Sequence, residues 1–242
     1  MGLPLAGRRV LVTRAEADAR EWAELLTQLG AEPVILPCIR TETIDGEATR
    51  AALSAALRSA DWLCVTSPRG TEAVARLAGS LPAALQVAAV GHATAASVRE
   101  LFRREPFVAG GTSRALGVAL RARLGARAVV TRVVIAAAKE GRTDIEAAFD
   151  GSGVQITRVA VYQTMPAVTV PTRRDLSLEG IADVLLASPS ALEGLLNQAS
   201  LPATARFYTV GPTTSAAVRA AGLRVSGEAT HPDFKSLVEA MQ

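Results

Sequence analysis

Two stretches of this chain recur half its length apart. Asp61–Pro68 reads DWLCVTSP and Asp183–Pro189 reads DVLLASP, while Val90–Val98 reads VGHATAASV and Val210–Val218 reads VGPTTSAAV. The offsets are 122 and 120 residues in a chain of 242. Each copy is an apolar strand running into a Ser-Pro or Gly-x-x-Thr helix start. Such a start leaves backbone N–H groups without intrahelical partners, and a hydroxyl beside them suits the site to carboxylates. The duplication constrains the fold to two lobes of like build, each of about 120 residues. Matched rims of this kind imply a cleft for a large polyanionic ligand.

Between the repeats the pattern is strand, helix, strand, helix. Arg9–Thr13 is β-rich and apolar, and Ala17–Leu29 has Trp22, Leu25, Leu26 and Leu29 at helical spacing, with Gly30 as its stop. A strand at Pro33–Leu36 and a helix at Glu47–Ser59 follow. Next come strand Asp61–Val65, helix Pro68–Leu77, strand Gln86–Val90, helix Thr94–Phe102 and helix Ser113–Leu124. The second half gives strand Arg132–Ala136, helix Thr143–Phe149, strand Gln155–Val161, strand Asp183–Ala187, helix Pro189–Gln198 and strand Arg206–Val210. It closes with helix Thr213–Ala221, a short strand near Val225 and helix Asp233–Met241. Single helices between continuous apolar strands indicate α/β lobes with parallel sheets covered on both faces. About five strands per sheet are expected. Residues 37–44 (PCIRTETI) and 162–170 (YQTMPAVTV) break the pattern at the same place in each repeat, and are read as a pair of connectors between the lobes.

Several function classes find no support. No G-x-G-x-x-G follows a strand, and no G-x-x-x-x-G-K-S/T, HExxH, CxxC or G-x-S-x-G occurs. No metal site or nucleotide cofactor is therefore expected. Cys38 and Cys64 are far apart and have no metal-ligand spacing. The net charge is +3, and 24 of the 26 basic residues are arginines, scattered and not interleaved with aromatics. Nucleic-acid binding is not expected on that pattern, although a mild positive field attracts an acidic small molecule. No stretch reaches the ~18 apolar residues of a membrane span. The opening MGLPLAGRRVLVTRAE has no signal-peptide layout, so a cytoplasmic location is expected.

What remains is hydroxyl-bearing helix starts. Ligands of open parallel sheets sit beyond the carboxyl ends of the strands. The turns at Ser67, Thr94, Ser188 and Thr213-Thr214 lie there, with Ser67 and Ser188 placed as N-caps before a proline at N1. Their bland alternative is capping alone. Arg14, after the first strand, suits bidentate carboxylate contact, or is a surface arginine. Tyr162 opens a connector, where its phenol faces the cleft or makes a structural hydrogen bond. His92 and His231 each sit at a helix start, as caps or as site residues.

Taken in order, VLVTRAEADAREWAELLTQLGAEPVILP, DWLCVTSPRGTEAV, VAAVGHATAASV, VAVYQTMP, DVLLASPSAL, YTVGPTTSAAVRAAGLRV and HPDFKSLVEAM resemble the uroporphyrinogen-III synthase family over nearly the whole chain. The resemblance implies two flavodoxin-like lobes joined by a two-stranded connector. One lobe is then about residues 1–37 plus 166–242 and the other about 38–165, whereas the repeat alone would divide the chain at its midpoint. It implies closure of hydroxymethylbilane, a linear tetrapyrrole with eight carboxylates, to uroporphyrinogen III with loss of water and inversion of the last ring, a step of heme biosynthesis. It also implies no metal and no cofactor, and a monomer is expected. The family's connector tyrosine falls on Tyr162 as candidate acid. Its substrate-binding positions fall on Arg14, Ser67, Thr94, Ser188, Thr213 and Thr214. Gly141-Arg142 is a weaker match, and His92 departs from the smaller amide of relatives.

The alternative is a two-lobed α/β binding or regulatory protein without catalysis. A solute-binding protein predicts an export signal, and a receiver predicts an aspartate at a strand end. The strands instead open with Asp61 and Asp183.

Overall fold

The computed structural model describes residues 3–125, 130–168 and 170–242. Thr169, in the second expected connector, lies outside them. The chain opens with β1 (Arg9–Val12), α1 (Glu16–Gln28), β2 (Glu32–Ile35) and β3 (Ile39–Thr43). It continues through α2 (Glu47–Ser59), β4 (Trp62–Val65), α3 (Pro68–Ala78), β5 (Gln86–Val90), α4 (Gly91–Phe102), β6 (Phe107–Ala109) and α5 (Ser113–Leu124). β7 (Arg132–Ala138), α6 (Asp144–Ala148), β8 (Gln155–Pro166), β9 (Arg174–Asp175) and β10 (Asp183–Leu186) follow. The chain ends with α7 (Pro189–Gln198), β11 (Ala199–Ser200), β12 (Arg206–Thr209), α8 (Pro212–Ala220), β13 (Val225–Glu228) and α9 (Phe234–Glu239).

The residues form two compact units, Met1–Arg40 with Met165–Gln242, and Thr41–Thr164. The first holds a five-stranded sheet, β13-β12-β10-β1-β2, in which every pairing is parallel. A six-stranded sheet, β3-β8-β7-β4-β5-β6, belongs to the middle unit. There β8-β7, β7-β4, β4-β5 and β5-β6 are all parallel. A further pair, β11-β9, is only two residues long.

Five strands per sheet were expected, and the middle sheet departs from that. β8 does not stop at Val161. It runs on through the tyrosine segment to Pro166, and β3, the other expected connector, is its hydrogen-bonded neighbour. β6 is only three residues, pressed between Glu105-Pro106 and Gly110-Gly111, too short for an alternating pattern.

The spatial order carries more than the count. In the first unit β2-β1-β10-β12-β13 is the doubly wound order 2-1-3-4-5 of flavodoxin-like sheets. In the middle unit β8-β7-β4-β5-β6 is the same order, but the chain enters at position 3 and supplies positions 1 and 2 last. The sequence repeat thus occupies equivalent places: β4 and β10 both stand third, and β5 and β12 both stand fourth.

Alternation of side chains across each strand fills two cores per sheet. In the middle unit Leu63 and Val65 pack under α2, α3 and α4 with Leu53, Val74 and Val98. Trp62 and Cys64 face the other way, onto Leu116 and Leu120 of α5 and Ile145 of α6. In the first unit Val10 and Val12 meet Trp22 and Leu26 of α1 and Leu237 of α9, while Leu11 meets Leu192 and Leu195 of α7. Among the described residues no helix is long and apolar enough to cross a membrane.

Helix α7 grips two chain segments distant in sequence. Its Gln198 Nε2 donates to the Pro37 carbonyl at 3.0 Å, and Asn197 Nδ2 donates to that of Ala167 at 2.9 Å. The Ala167 N–H in turn donates to the Cys38 carbonyl at 2.8 Å. Gly194 makes this approach possible, because a Cβ there would fall inside the Cys38 carbonyl and 2.7 Å from the Ala167 nitrogen. Backbone on both sides leaves no room to yield. Gly194→Ala is therefore expected to cost about 3 kcal/mol, read as a lower urea midpoint at unchanged slope.

Candidate active site

Parallel strands bring their carboxyl ends to one edge of each sheet, and the crevice of the 2-1-3-4-5 order opens there between positions 1 and 3. In the middle unit those positions are β7 and β4. β4 ends at Val65, and Ser67 turns the chain into α3. Ser67 is extended (φ −158°, ψ 158°), and its Oγ accepts from the Gly70 N–H at 3.1 Å with Pro68 in the first turn. It is the expected N-cap. β7 ends at Ala138, which pairs with Tyr162 after a register shift, and the Lys139 N–H donates to the Tyr162 carbonyl at 2.8 Å. This irregularity sets the phenol beside the start of α3. A Cβ on Gly70 would lie 3.4 Å from Tyr162 Cε1, so the ring rests against the helix's first turn.

The result is a contact between residues 95 apart: Ser67 Oγ and Tyr162 Oη are 3.0 Å apart, both half-buried. The two hydroxyls carry two protons and share one hydrogen bond. Whichever donates, the other keeps a proton for a ligand. The pair can therefore donate to a leaving oxygen or to a carboxylate without rearranging its backbone.

The Gly-x-x-Thr turns divide into an outer and an inner part. Residues 91–100 and 211–220 have the same burial pattern position by position. His92-Ala93 and Pro212-Thr213 are exposed. Thr94 and Thr214 are only 2% and 3% exposed, and so do not project from the rim as expected. Their position explains this: each lies four residues before Val98 or Val218, on the face its helix turns to the core. α4 also starts a turn earlier than expected, at Gly91, with Val90 as a cap that makes no side-chain bond.

In the first unit the equivalent edge carries Arg14, Ser188, Thr213 and Thr214, at the ends of β1, β10 and β12. Ser188 repeats the Ser67 geometry (φ −161°, ψ 160°), and its Oγ accepts from the Ala191 N–H at 3.2 Å. Thr13 is buried and donates to the Leu185 carbonyl at 2.7 Å, tying β1 to β10. Arg14 stacks 4.7 Å over the Trp22 ring and lies 3.5 Å from Asp18. Its guanidinium is half-exposed and held in place. His231 Nδ1 is 3.2 Å from the Thr230 hydroxyl, in the turn between β13 and α9.

Sequence reasoning missed Arg158. From β8 it donates to the carbonyls of Ala138 at 3.3 Å, Gly141 at 2.9 Å and Arg142 at 3.3 Å, and it pairs with Glu146 at 2.6 Å. It fixes the loop after β7, beside Tyr162. A single arginine in an alternating strand gave no signal of this. Arg142 itself is exposed and paired with Asp144 at 3.0 Å. A cavity of about 680 Å³ lined by Trp62, Gln86, Arg104, Phe107 and Arg123 opens at the amino ends of β4, β5 and β6, the opposite edge from the hydroxyl pair. Among the described residues no cluster of three or more His, Cys, Asp or Glu has a metal-holding arrangement.

Cys38 and Cys64 are fully buried, and desolvation pushes both thiols up to about 12. Neither is expected to react with a disulfide reagent at pH 8 in the folded protein, and both are expected to react in urea. Ser67→Ala removes a cap and the phenol's partner together. A loss of about 1 kcal/mol in a urea melt is expected from the cap.

The family model for uroporphyrinogen-III synthase HemD matches residues 20–239. A chloroplastic uroporphyrinogen-III synthase of Oryza sativa subsp. japonica is 29% identical over 245 residues, covering 96% of this chain and 79% of that protein. A porphyrin biosynthesis protein HemD of Ruminiclostridium josui is 28% identical over 173 residues. That match covers 68% of this chain but spans only 33% of the relative's length. Two solved structures share the fold. A uroporphyrinogen-III synthetase of Helicobacter pylori has a TM-score of 0.56 at 12% identity, with 96% of each chain covered. A mutant uroporphyrinogen III synthase of Thermus thermophilus has a TM-score of 0.51 at 18% identity, with 97% of each covered. The α/β architecture, the parallel sheets and the matched motifs agree, and the chain belongs to the uroporphyrinogen-III synthase family of tetrapyrrole biosynthesis.

Proposed function

We propose that this chain cyclises hydroxymethylbilane to uroporphyrinogen III, releasing water and inverting the last ring. Family membership supports the reaction class, and the observation that carries the site is the Ser67–Tyr162 hydroxyl pair at the crevice of the middle sheet. In this reading a pyrrole nitrogen pushes electrons toward the terminal hydroxymethyl carbon, and its C–O bond breaks. The departing oxygen takes a proton and leaves as water. The carbon left behind is an electrophile. It bonds to the substituted carbon of the far ring, giving a spiro intermediate that fragments and recloses with that ring turned over.

Tyr162 is the candidate proton donor, with Ser67 setting its hydroxyl. Phenols are weak acids at neutral pH, so the larger share of rate falls to folding the linear molecule end to end. Proximity and orientation of this sort supply ~7–11 kcal/mol in favourable cases. The carboxylates are held by helix-start amides and hydroxyls. Each unit by itself offers such groups: the middle unit at Ser67 and Thr94, and the other at Ser188, Thr213 and Thr214, with Arg14 adding a guanidinium. Because Thr94 and Thr214 are buried, their part is to set the turns whose N–H groups bind. On this proposal the chain acts as a monomer in the cytoplasm, with no cofactor, metal or nucleic acid.

The test is an assay with enzymatically generated hydroxymethylbilane. Left alone, that substrate closes to the symmetric isomer I, so isomer III is the expected product. A chain that leaves only isomer I is instead a binding or regulatory protein. Tyr162→Phe is expected to lower kcat by up to about 100-fold, the low end of general-acid help, with turnover still measurable. An unchanged kcat removes the phenol from the mechanism.

A further inference from the structure

The loop between β7 and α6 is held from both sides. On one side the Lys139 N–H donates to the Tyr162 carbonyl at 2.8 Å. On the other the Arg158 guanidinium reaches three carbonyls of residues 138–142. Gly141 lets the guanidinium come this close, since a Cβ there would lie 2.7 Å from Arg158 Nη2 and 3.0 Å from the Ala138 carbonyl and would push the arginine aside. A surface loop fixed so closely presents its side chains from a defined place. The outward cation it presents at the β7 end is Lys139, which is exposed.

The neighbouring cations are already engaged. Arg142 pairs with Asp144 and Arg158 with Glu146. Lys139 forms no ion pair among the described residues. It is also one of two lysines in a chain of 24 arginines, the other being Lys235 in α9. An ammonium is a compact, mobile point charge, whereas a guanidinium favours a fixed bidentate partner.

We propose that Lys139 is a substrate-binding residue whose ammonium takes one carboxylate of the acidic tetrapyrrole beside the Ser67–Tyr162 pair. The assignment rests on the reaction proposed above and adds a contact to the same site. The fixed backbone sets Lys139 at the carboxyl end of β7, its N–H on the Tyr162 carbonyl, and its four-carbon stem gives the ammonium the reach to meet a substrate at that crevice. Its effect is electrostatic and belongs to binding, so it appears in KM and in salt dependence more than in kcat.

The test is steady-state kinetics with hydroxymethylbilane, with isomer III measured for wild type, Lys139→Ala, Lys139→Gln and Lys139→Arg. Lys139→Ala and Lys139→Gln are expected to raise KM about five- to tenfold, as loss of a charge-assisted contact implies, with kcat within about twofold. Lys139→Arg should recover most of the loss. Added salt should raise KM less steeply in the two neutral variants than in wild type. Glu140→Ala, on the same loop, is the control and should not raise KM. The outcome that overturns the assignment is a KM within about twofold of wild type in both neutral variants. An arginine variant as impaired as alanine also overturns it, because charge is then not what acts. Wild type that yields isomer III beside unaffected Lys139 variants sinks this contact alone, whereas wild type that yields only isomer I sinks the reaction and the contact together.

Discussion

Parallel pairing forces every strand to deliver its carboxyl end, and the start of the helix that follows, to the same edge of its sheet. Helices then cover both faces, so the strands must be apolar on both sides. Trp62 and Cys64 face one core while Leu63 and Val65 face the other. The polar chemistry is left to one rim. In the middle unit that rim brings together a serine from the end of β4 and a tyrosine from β8, 95 residues apart in sequence. The site follows from the topology because no other edge collects helix starts.

The repeat and the fold are related by a shift in chain order. Read along the sequence, each half supplies positions 1, 2, 3, 4 and 5 of a doubly wound sheet in turn. Read in space, the first pair of the opening half joins the last three of the closing half, and the remainder forms the middle sheet. Neither half of the sequence contains a whole sheet. A division at the midpoint would cut both.

Helices with strong end signals were legible almost to the residue. Glu47–Ser59, Ser113–Leu124 and Pro189–Gln198 were read at their observed bounds, the last two behind Thr112 and Ser188, whose hydroxyls cap them. α4 was read a turn late because Val90 gives no side-chain cap and glycine opens the helix. β6, β9 and β11 are three residues or fewer, too short for any period to show. Of the site, Ser67 and Ser188 were legible as caps from Ser-Pro. The burial of Thr94 and Thr214 was implicit in their spacing from Val98 and Val218. The partnership of Ser67 with Tyr162 was not, since nothing local links them and a register shift in β8 sets the phenol's place. Arg158 shows the limit most clearly. Its three carbonyl contacts depend on the path of a loop, and paths of loops are not written in alternation.

The shifted order also bears on how the chain is made. Once Pro166 has left the ribosome, all six strands of the middle sheet exist and can close. β1 and β2 have been synthesised long before, yet β10, the strand that flanks β1 on its other side, begins only at Asp183. The first apolar strand of the protein must therefore wait for the tenth to gain its second neighbour, with loop-closure entropy and exposed hydrophobic surface both working against it. The unit that holds the amino terminus is thus the one whose strands are completed later, and β1 and β2 stay without the rest of their sheet over that interval.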